Sequence, residues 1–540
     1  MKIFVIGLDG ADFDLLTALV SEGKLPNIRE LMDQGVSGPL RSVLPPISAP
    51  AWASFMTGNN PGKHGVFAFL EHEPGLLDID SQRLVTADSI QSHKLWDILK
   101  ETGKSTHVVN VPVTYPPSKI SGVMIPGFDA PGDASDFFHP PRIKQEIEEL
   151  LGHAYAADHH SHGHLGGERL DKWTDILFKI EEDRAKVVHY LMDAYPWDFF
   201  VVVFTLLDRI GHLCWHNRPL MQKAYEKADL LVGSVLGALE EETTVICLSD
   251  HGFGDLKGHF VTNKWLYDQG FLHLNPINFL NFYKFYRIRP TDITIERFLK
   301  RLGRKSFLSY VPPRIHDKCI PIPLPQKKAT ALVDWSATTA YGGSYGIYVN
   351  LKGREPQGIV DPGRQYEKLR DGLIECLHDV EDPQTGEKLV SFAVKREEIY
   401  CGPFSERAPD IFFCLDNFNH IQVNHLNVKK TFVKASLSGT HRLNGVFLAK
   451  GQGMKRNFPA NGARIIDVAP TILYTFGLPI LRNMDGALLE QCFEPDYLAE
   501  RPPTYETVAR QEAEEADRRL LDKEETEEVA QRLRQLGYLE

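Results

Sequence analysis

The run FFVVVFTLLDRIGHLC, residues 199–214, sets the fold. Six apolar residues without a polar break read as a strand covered on both faces, because a strand with one wet face would alternate. Asp208 and His212 follow directly, four residues apart. The same layout recurs along the chain in KIFVIGL (2–8), THVVNVPV (106–113), TTVICLS (243–249) and GVFLAKG (445–451). Helical patterns lie between these runs. PNIRELMDQG (26–35) has Pro26 at its start and Gly35 at its end, and LMQKAYEKADLLVGSVLGALEEE (220–242) repeats apolar residues at three- and four-residue steps. Strand, helix, strand in this order predicts an α/β fold with a mainly parallel central sheet.

Composition narrows the function classes. At 540 residues the chain can bury a large core, and 43% hydrophobic with 24% charged residues is ordinary for a globular protein. No apolar run reaches the ~18 residues of a membrane span. The N-terminal MKIFVIGLDG turns acidic at once and lacks a small-residue cleavage site, which predicts a buried first strand rather than a signal peptide, and a cytoplasmic protein. Seven cysteines without CxxC spacing argue against a disulfide framework and a thiolate zinc site. Sixty Lys and Arg against 72 Asp and Glu give a net charge of −12, so no specific nucleic-acid binding is expected.

Two regions break the alternation. Residues 275–334 are basic, aromatic and proline-rich, with twelve Lys or Arg against three Asp or Glu between Asn275 and Lys328. They read as an insertion or cap over the sheet that could guide an anionic substrate. Residues 496–540 read as a charged C-terminal helical extension. The core is therefore expected in two parts, 1–274 and 335–495.

Four segments place metal-ligand residue types where a strand meets a loop. These are Asp9 in GLDGAD, Asp208 and His212 in LLDRIGHLCW, Asp250 and His251 in SDHGFGD, and His441 in SGTHRLNGVFLAKG. Ligands of open α/β sheets bind outside the carboxyl ends of the strands, so three carboxylates there can share one crevice. Carboxylate and neutral imidazole suit zinc and manganese, and the lack of nearby cysteine fits a catalytic site. Crowding Asp9, Asp208 and Asp250 together is costly unless cations neutralise them, and two divalent ions would do so. A fifth segment, DHHSHGHLGG at 158–167, reads as a solvent loop.

In this order the segments resemble the alkaline phosphatase superfamily and, within it, the type I phosphodiesterase/nucleotide pyrophosphatase family. The resemblance rests on GLDG at 7–10, PPISAPAWASFMTGNNPGKHGV at 45–66, DRIGH, SDHGFG, GTHRLNGVF and IIDVAPTILYTFGLP. It implies a three-layer sandwich, with one divalent ion, zinc or manganese, on Asp208, His212 and His441. A second ion would lie on Asp9, Asp250, His251 and Ser48. Ser48, nine residues before Thr57–Gly58, is the implied nucleophile, at the N-terminus of a helix starting near Pro50 that would receive the anionic phosphoryl group.

The implied activity is hydrolysis of small anionic phosphodiesters or pyrophosphates through a phosphoryl-serine. Alternatives are a phosphomonoesterase or phosphotransferase on the same scaffold, or a non-catalytic binding protein. Two departures stand out. Ala51 replaces an Asn expected three residues after the nucleophile, and Trp52 replaces the Arg of the sulfatase C/S-x-P-x-R pattern. Arg209, Lys63 and Lys257 are the candidates to replace the missing donor to the phosphate.

Overall fold

The computed structural model describes residues 1–75, 77, 83–131, 137–159, 167–275, 329–343, 345–426, 430–507 and 521–535. Most of the expected insertion, most of the histidine-rich segment and part of the C-terminal extension lie outside the described residues.

Among the described residues, the central sheet has eight strands. Their order is Phe458–Pro459, Val36–Arg41, Asn444–Lys450, Thr244–Leu248, Ile3–Leu8, Phe199–Phe204, Thr106–Val111 and Gly122–Pro126. From Thr244–Leu248 to Gly122–Pro126 all neighbours are parallel, while Asn444–Lys450 runs antiparallel to both of its neighbours. All five apolar runs read from the sequence are strands of this sheet.

The unbroken apolar character of these strands follows from burial on both faces. Along the first strand, Ile3 and Val5 pack with Trp52, Phe55 and Met56 of the helix Ser48–Thr57 and with Leu473 of the helix Val468–Thr475. Phe4, Ile6 and Leu8 face the other way, into a core with the helices Phe13–Ser21, Pro26–Gln34, Glu168–Ala194 and Arg218–Ala238. Helices therefore cover both sides, giving three layers. Gly7 has a packing role: a Cβ there would come within 2.6 Å of the Trp52 ring.

Register brings the strand ends together. Leu8 lies opposite Phe204, and Gly7 opposite both Val203 and Leu248, so the three chains leave the sheet at one edge. The pairing continues one step beyond the sheet, where Asp9 N–H donates to Phe204 O (3.0 Å) and Asp208 N–H donates to Asp9 O (3.1 Å).

A second, mixed sheet was not separated in the linear reading. Its order is Ala340–Gly343, Gly346–Val349, Ile411–Leu415, His420–Val423, Gly258–Val261 and Phe432–Val433, and Val390–Lys395 also pairs with Ile411–Leu415. It has its own core, including Phe260, Trp265, Tyr341, Phe413 and Leu373 of the helix Arg364–His378. The helix Lys523–Gln535 docks through Val529 and Leu533 on the first core, and its Arg532 donates to Phe128 O at 2.8 Å.

Candidate active site

The sheet edge gathers all seven residues expected at the metal centre. Asp9, Ser48, Asp208, Asp250 and His251 are fully buried, while His212 and His441 retain 5% and 6% exposure. Asp9 leaves the end of the first strand. The next residue, Gly10, has φ +73°, and a Cβ there would lie 2.9 Å from Asp208 Cα, so the close approach of these two turns requires glycine. Gly10 N–H donates to Asp250 Oδ1 at 3.3 Å. Ser249 ties the turn together, accepting from Ala11 N–H (2.9 Å) and donating to His251 O (2.6 Å).

Ser48 sits where acceptors converge. Its Oγ lies 3.5 Å from Asp9 Oδ1 and 3.3 Å from His251 Nε2, and it also bonds to Asp250. The helix begins at Ser48 itself, not near Pro50, and the cap position is Ile47. Ser48 is thus not a capping serine: its hydroxyl is engaged by Asp9, His251 and Asp250 rather than by its own helix. The helix still directs the positive end of its dipole at the cluster.

Three imidazoles are oriented alike. Nδ1 of His212 faces Gly439 O (3.3 Å), Nδ1 of His251 faces Gly252 O (3.1 Å) and Nδ1 of His441 faces Pro46 O (3.0 Å). A carbonyl can only accept, so each Nδ1 carries the proton and each Nε2 presents a lone pair inward. His212 Nε2 and His441 Nε2 lie 3.0 Å apart, and each lies within 3.3 Å of Asp208 Oδ1. His251 stacks on His441 with ring centroids 3.7 Å apart. Two overlapping groups of potential ligand atoms result: Asp208, His251 and His441, and Asp9, Asp250 and His251. His212 completes a tight triangle with Asp208 and His441. Lone pairs facing each other and buried carboxylates are what a pair of cations would relieve, so the donor set fits divalent metal.

The electrostatics are uneven across the cluster. Burial, reinforced by the charges of Asp250 and Asp208, pushes the Asp9 carboxyl well above the usual range. Burial and Asp208 push Asp250 up to about 8. Asp208 is the exception: burial raises it, yet the carboxyl is held well below the usual range, with the Arg209 guanidinium the fixed positive charge bonded to it. Burial lowers His251, and lowers His441 to about 3, so both stay neutral and able to ligate.

The three candidate substrate contacts lie in different places. Arg209 is beside the cluster but buried, its guanidinium bonded to Asp208 Oδ2 and, at 2.6 Å, to Asp158 Oδ2. Lys63 lies beyond the far end of the ten-residue helix Ser48–Thr57, about 15 Å long, and pairs with Asp485 at 2.5 Å. Lys257 is exposed and pairs with Asp416 at 2.8 Å. The contacts described for these two lysines do not include the cluster.

Sequence reasoning missed Trp52 and Asp158. Trp52 Nε1–H donates to Asp9 Oδ2 at 3.2 Å, so the residue at the sulfatase arginine position orients a carboxylate. Its signal was a large amphipathic ring in a run of small residues. Asp158 opens the histidine-rich segment, where the histidines drew attention and the single acid did not.

Fold and site together define a protein of the alkaline phosphatase superfamily: a three-layer α/β sandwich gathering carboxylates, imidazoles and a helix-start hydroxyl at the carboxyl edge of its sheet. More narrowly, the chain belongs to the type I phosphodiesterase/nucleotide pyrophosphatase family, whose model matches residues 3–425. Family membership supports phosphoester hydrolysis, and family members use divalent metals.

Among solved structures, the chain is similar to murine ectonucleotide pyrophosphatase/phosphodiesterase 5, in an inactive variant with AMP. That match has 14% identity, a TM-score of 0.52, and covers 92% of this chain and 100% of that one. It is also similar to phosphonoacetate hydrolase from Sinorhizobium meliloti 1021 in complex with phosphonoformate, at 13% identity and a TM-score of 0.53, covering 87% and 94%. At these identities the likeness is one of fold. No curated protein sequence matches the chain. Among the described residues, no helix is long and apolar enough to cross a membrane.

Proposed function

We propose that the protein is a metal-dependent hydrolase of phosphodiester or pyrophosphate bonds with Ser48 as its nucleophile. The observation that carries this reading is the placement of Ser48 Oγ at a helix start, within 3.5 Å of Asp9 Oδ1 and His251 Nε2. Asp208, His212 and His441 would hold one divalent ion, and Asp9, Asp250, His251 and Ser48 the other, zinc or manganese by donor chemistry. Bound there, such ions lower the pKa of the hydroxyl and neutralise charge that develops on phosphoryl oxygens.

The chain's own residues do the positioning. Asp9, Asp250 and His251 hold the Ser48 hydroxyl, and the helix dipole favours the anionic group before it. Attack of Oγ on phosphorus forms a phosphoryl-serine as the leaving oxygen departs and takes up a proton. Water then attacks the same phosphorus, releasing phosphate or a phosphomonoester and restoring the serine hydroxyl.

Cation placement favours diester over monoester. Both arginines next to the cluster are engaged: Arg209 by Asp208 and Asp158, and Arg442 by the carbonyls of Asp255, His441 and Phe418. The extra negative charge of a monoester would thus lack a partner of its own among the described residues. Initial rates on nitrophenyl mono- and diesters, each with zinc or manganese, test this. The diester should be preferred, and a preference for the monoester would reject the diester reading.

A further inference from the structure

The first residue of the histidine-rich segment and the arginine next to a ligand aspartate belong to one buried charge chain. Asp158, with only 2% of its side chain exposed, accepts from Arg209 Nε at 2.6 Å, and Arg209, at 1%, donates through Nη1 to Asp208 Oδ2. His159 N–H fixes the other Asp158 oxygen at 2.7 Å. The Arg209 guanidinium also lies over the Phe128 ring, 4.3 Å from its centroid, and Phe128 O is held by Arg532 of the C-terminal helix.

A second buried pair frames the first. In the helix Glu168–Ala194, Glu181 accepts from Thr205 N–H at 2.8 Å. Thr205 directly precedes the helix Leu206–Cys214, which carries Asp208, Arg209 and His212. Arg184, bonded to Glu181, donates to Ala157 O, next to Asp158. One helix thus fixes both ends of the chain.

We infer that Asp158 and Arg209 are positioning residues for Asp208, setting which carboxylate oxygen, and how strong a donor, faces the metal site. This rests on the two-metal reading above. Arg209 occupies Oδ2, so Asp208 presents Oδ1 toward His212 and His441, 3.3 and 3.2 Å away. Asp158 in turn shares the guanidinium charge and stops Arg209 from neutralising Asp208 alone. The rigid guanidinium holds the two carboxylates through separate nitrogens, Nε and Nη1, at a fixed angle that the single nitrogen of an ammonium does not reproduce.

Metal-free full-length protein titrated with zinc alone and with manganese alone, in competition with a chromophoric chelator, tests the inference. Wild type should bind two ions per chain. Asp158→Asn, which keeps size and shape, should weaken one of the two by about 10- to 100-fold and the other by less than about threefold. Arg209→Lys should weaken the same ion. A merely structural role predicts lower melting temperatures for the metal-free variants with both affinities intact. That result in Asp158→Asn would overturn the inference while leaving the two-metal reading standing. Wild type that binds no ion would overturn both. Should Arg209→Lys not fold, Asp158→Asn decides alone.

Discussion

Two of the places where the molecule buries carboxylates treat them in opposite ways. In the second sheet, Asp410 is fully buried and answered by the protein's own donors. Arg354 donates to both of its oxygens (2.8 and 2.6 Å), Arg396 lies at 3.2 Å, and Tyr366 and the Val349 N–H complete the shell. Although burial raises it, Arg354 and Arg396 hold the carboxyl below its usual range. At the edge of the first sheet, Asp9 and Asp250 are just as deeply buried, yet both are pushed upward. Among the described residues, only Asp208 there has a strong cationic partner, Arg209. A buried carboxylate that the protein neutralises is part of the scaffold, whereas a pair that it leaves uncompensated is a place for a cation from outside.

Four experiments can break or sharpen this contrast. The largest effect is expected from Ser48→Ala, which should lower turnover by on the order of 10⁴- to 10⁶-fold with metal content nearly unchanged. Near-normal turnover would remove Ser48 from its role. Next comes metal removal. Chelation should abolish activity, restored by zinc or manganese, and should lower the melting temperature, since an ion at 100 times its Kd contributes about 2.7 kcal/mol. A chelated protein with an unchanged melting curve and full activity would erase the distinction between the two carboxylate groups.

Asp410→Asn should do the reverse, costing about 3–5 kcal/mol of stability by removing the buried charge that Arg354 and Arg396 share and leaving each only its neighbouring glutamate, Glu355 or Glu397, with no change in metal stoichiometry. The pH dependence has a definite sign. Because the folded pKa of Asp410 is depressed, its contribution is present above the unfolded value of about 3.9 and is lost as pH falls through the folded one. The stability gap between wild type and Asp410→Asn in urea titrations should therefore narrow on acidification; a gap independent of pH would count against it. The smallest effects belong to Lys63→Ala and Lys257→Ala. Both sit in partly or well-exposed ion pairs away from the cluster, so stability should change by less than about 1 kcal/mol and kcat/KM by less than about twofold. A tenfold loss in either would place that lysine on the path of the substrate.

Much of this could be read along the chain. The strands Ile3–Leu8, Phe199–Phe204 and Thr244–Leu248 announce themselves as unbroken apolar runs because helices cover both faces, a local signal. The ligand-type residues were legible for the same reason: Asp9, Asp208 and Asp250 each follow such a run within a few residues, so finding the strand ends finds the carboxylates. Tertiary structure alone decided the rest. It set the helix start at Ser48 instead of near Pro50, turned Trp52 onto Asp9, and joined Gly258–Val261 to His420–Val423 in a sheet that no local pattern marked. It also joined Arg209 to Asp158, 51 residues away, and sent Lys63 and Lys257 to other partners. Apolar periodicity and turn chemistry act over a few residues and leave a trace in sequence. The partner of a buried charge is chosen by which distant segments the core packs side by side, and that choice leaves none.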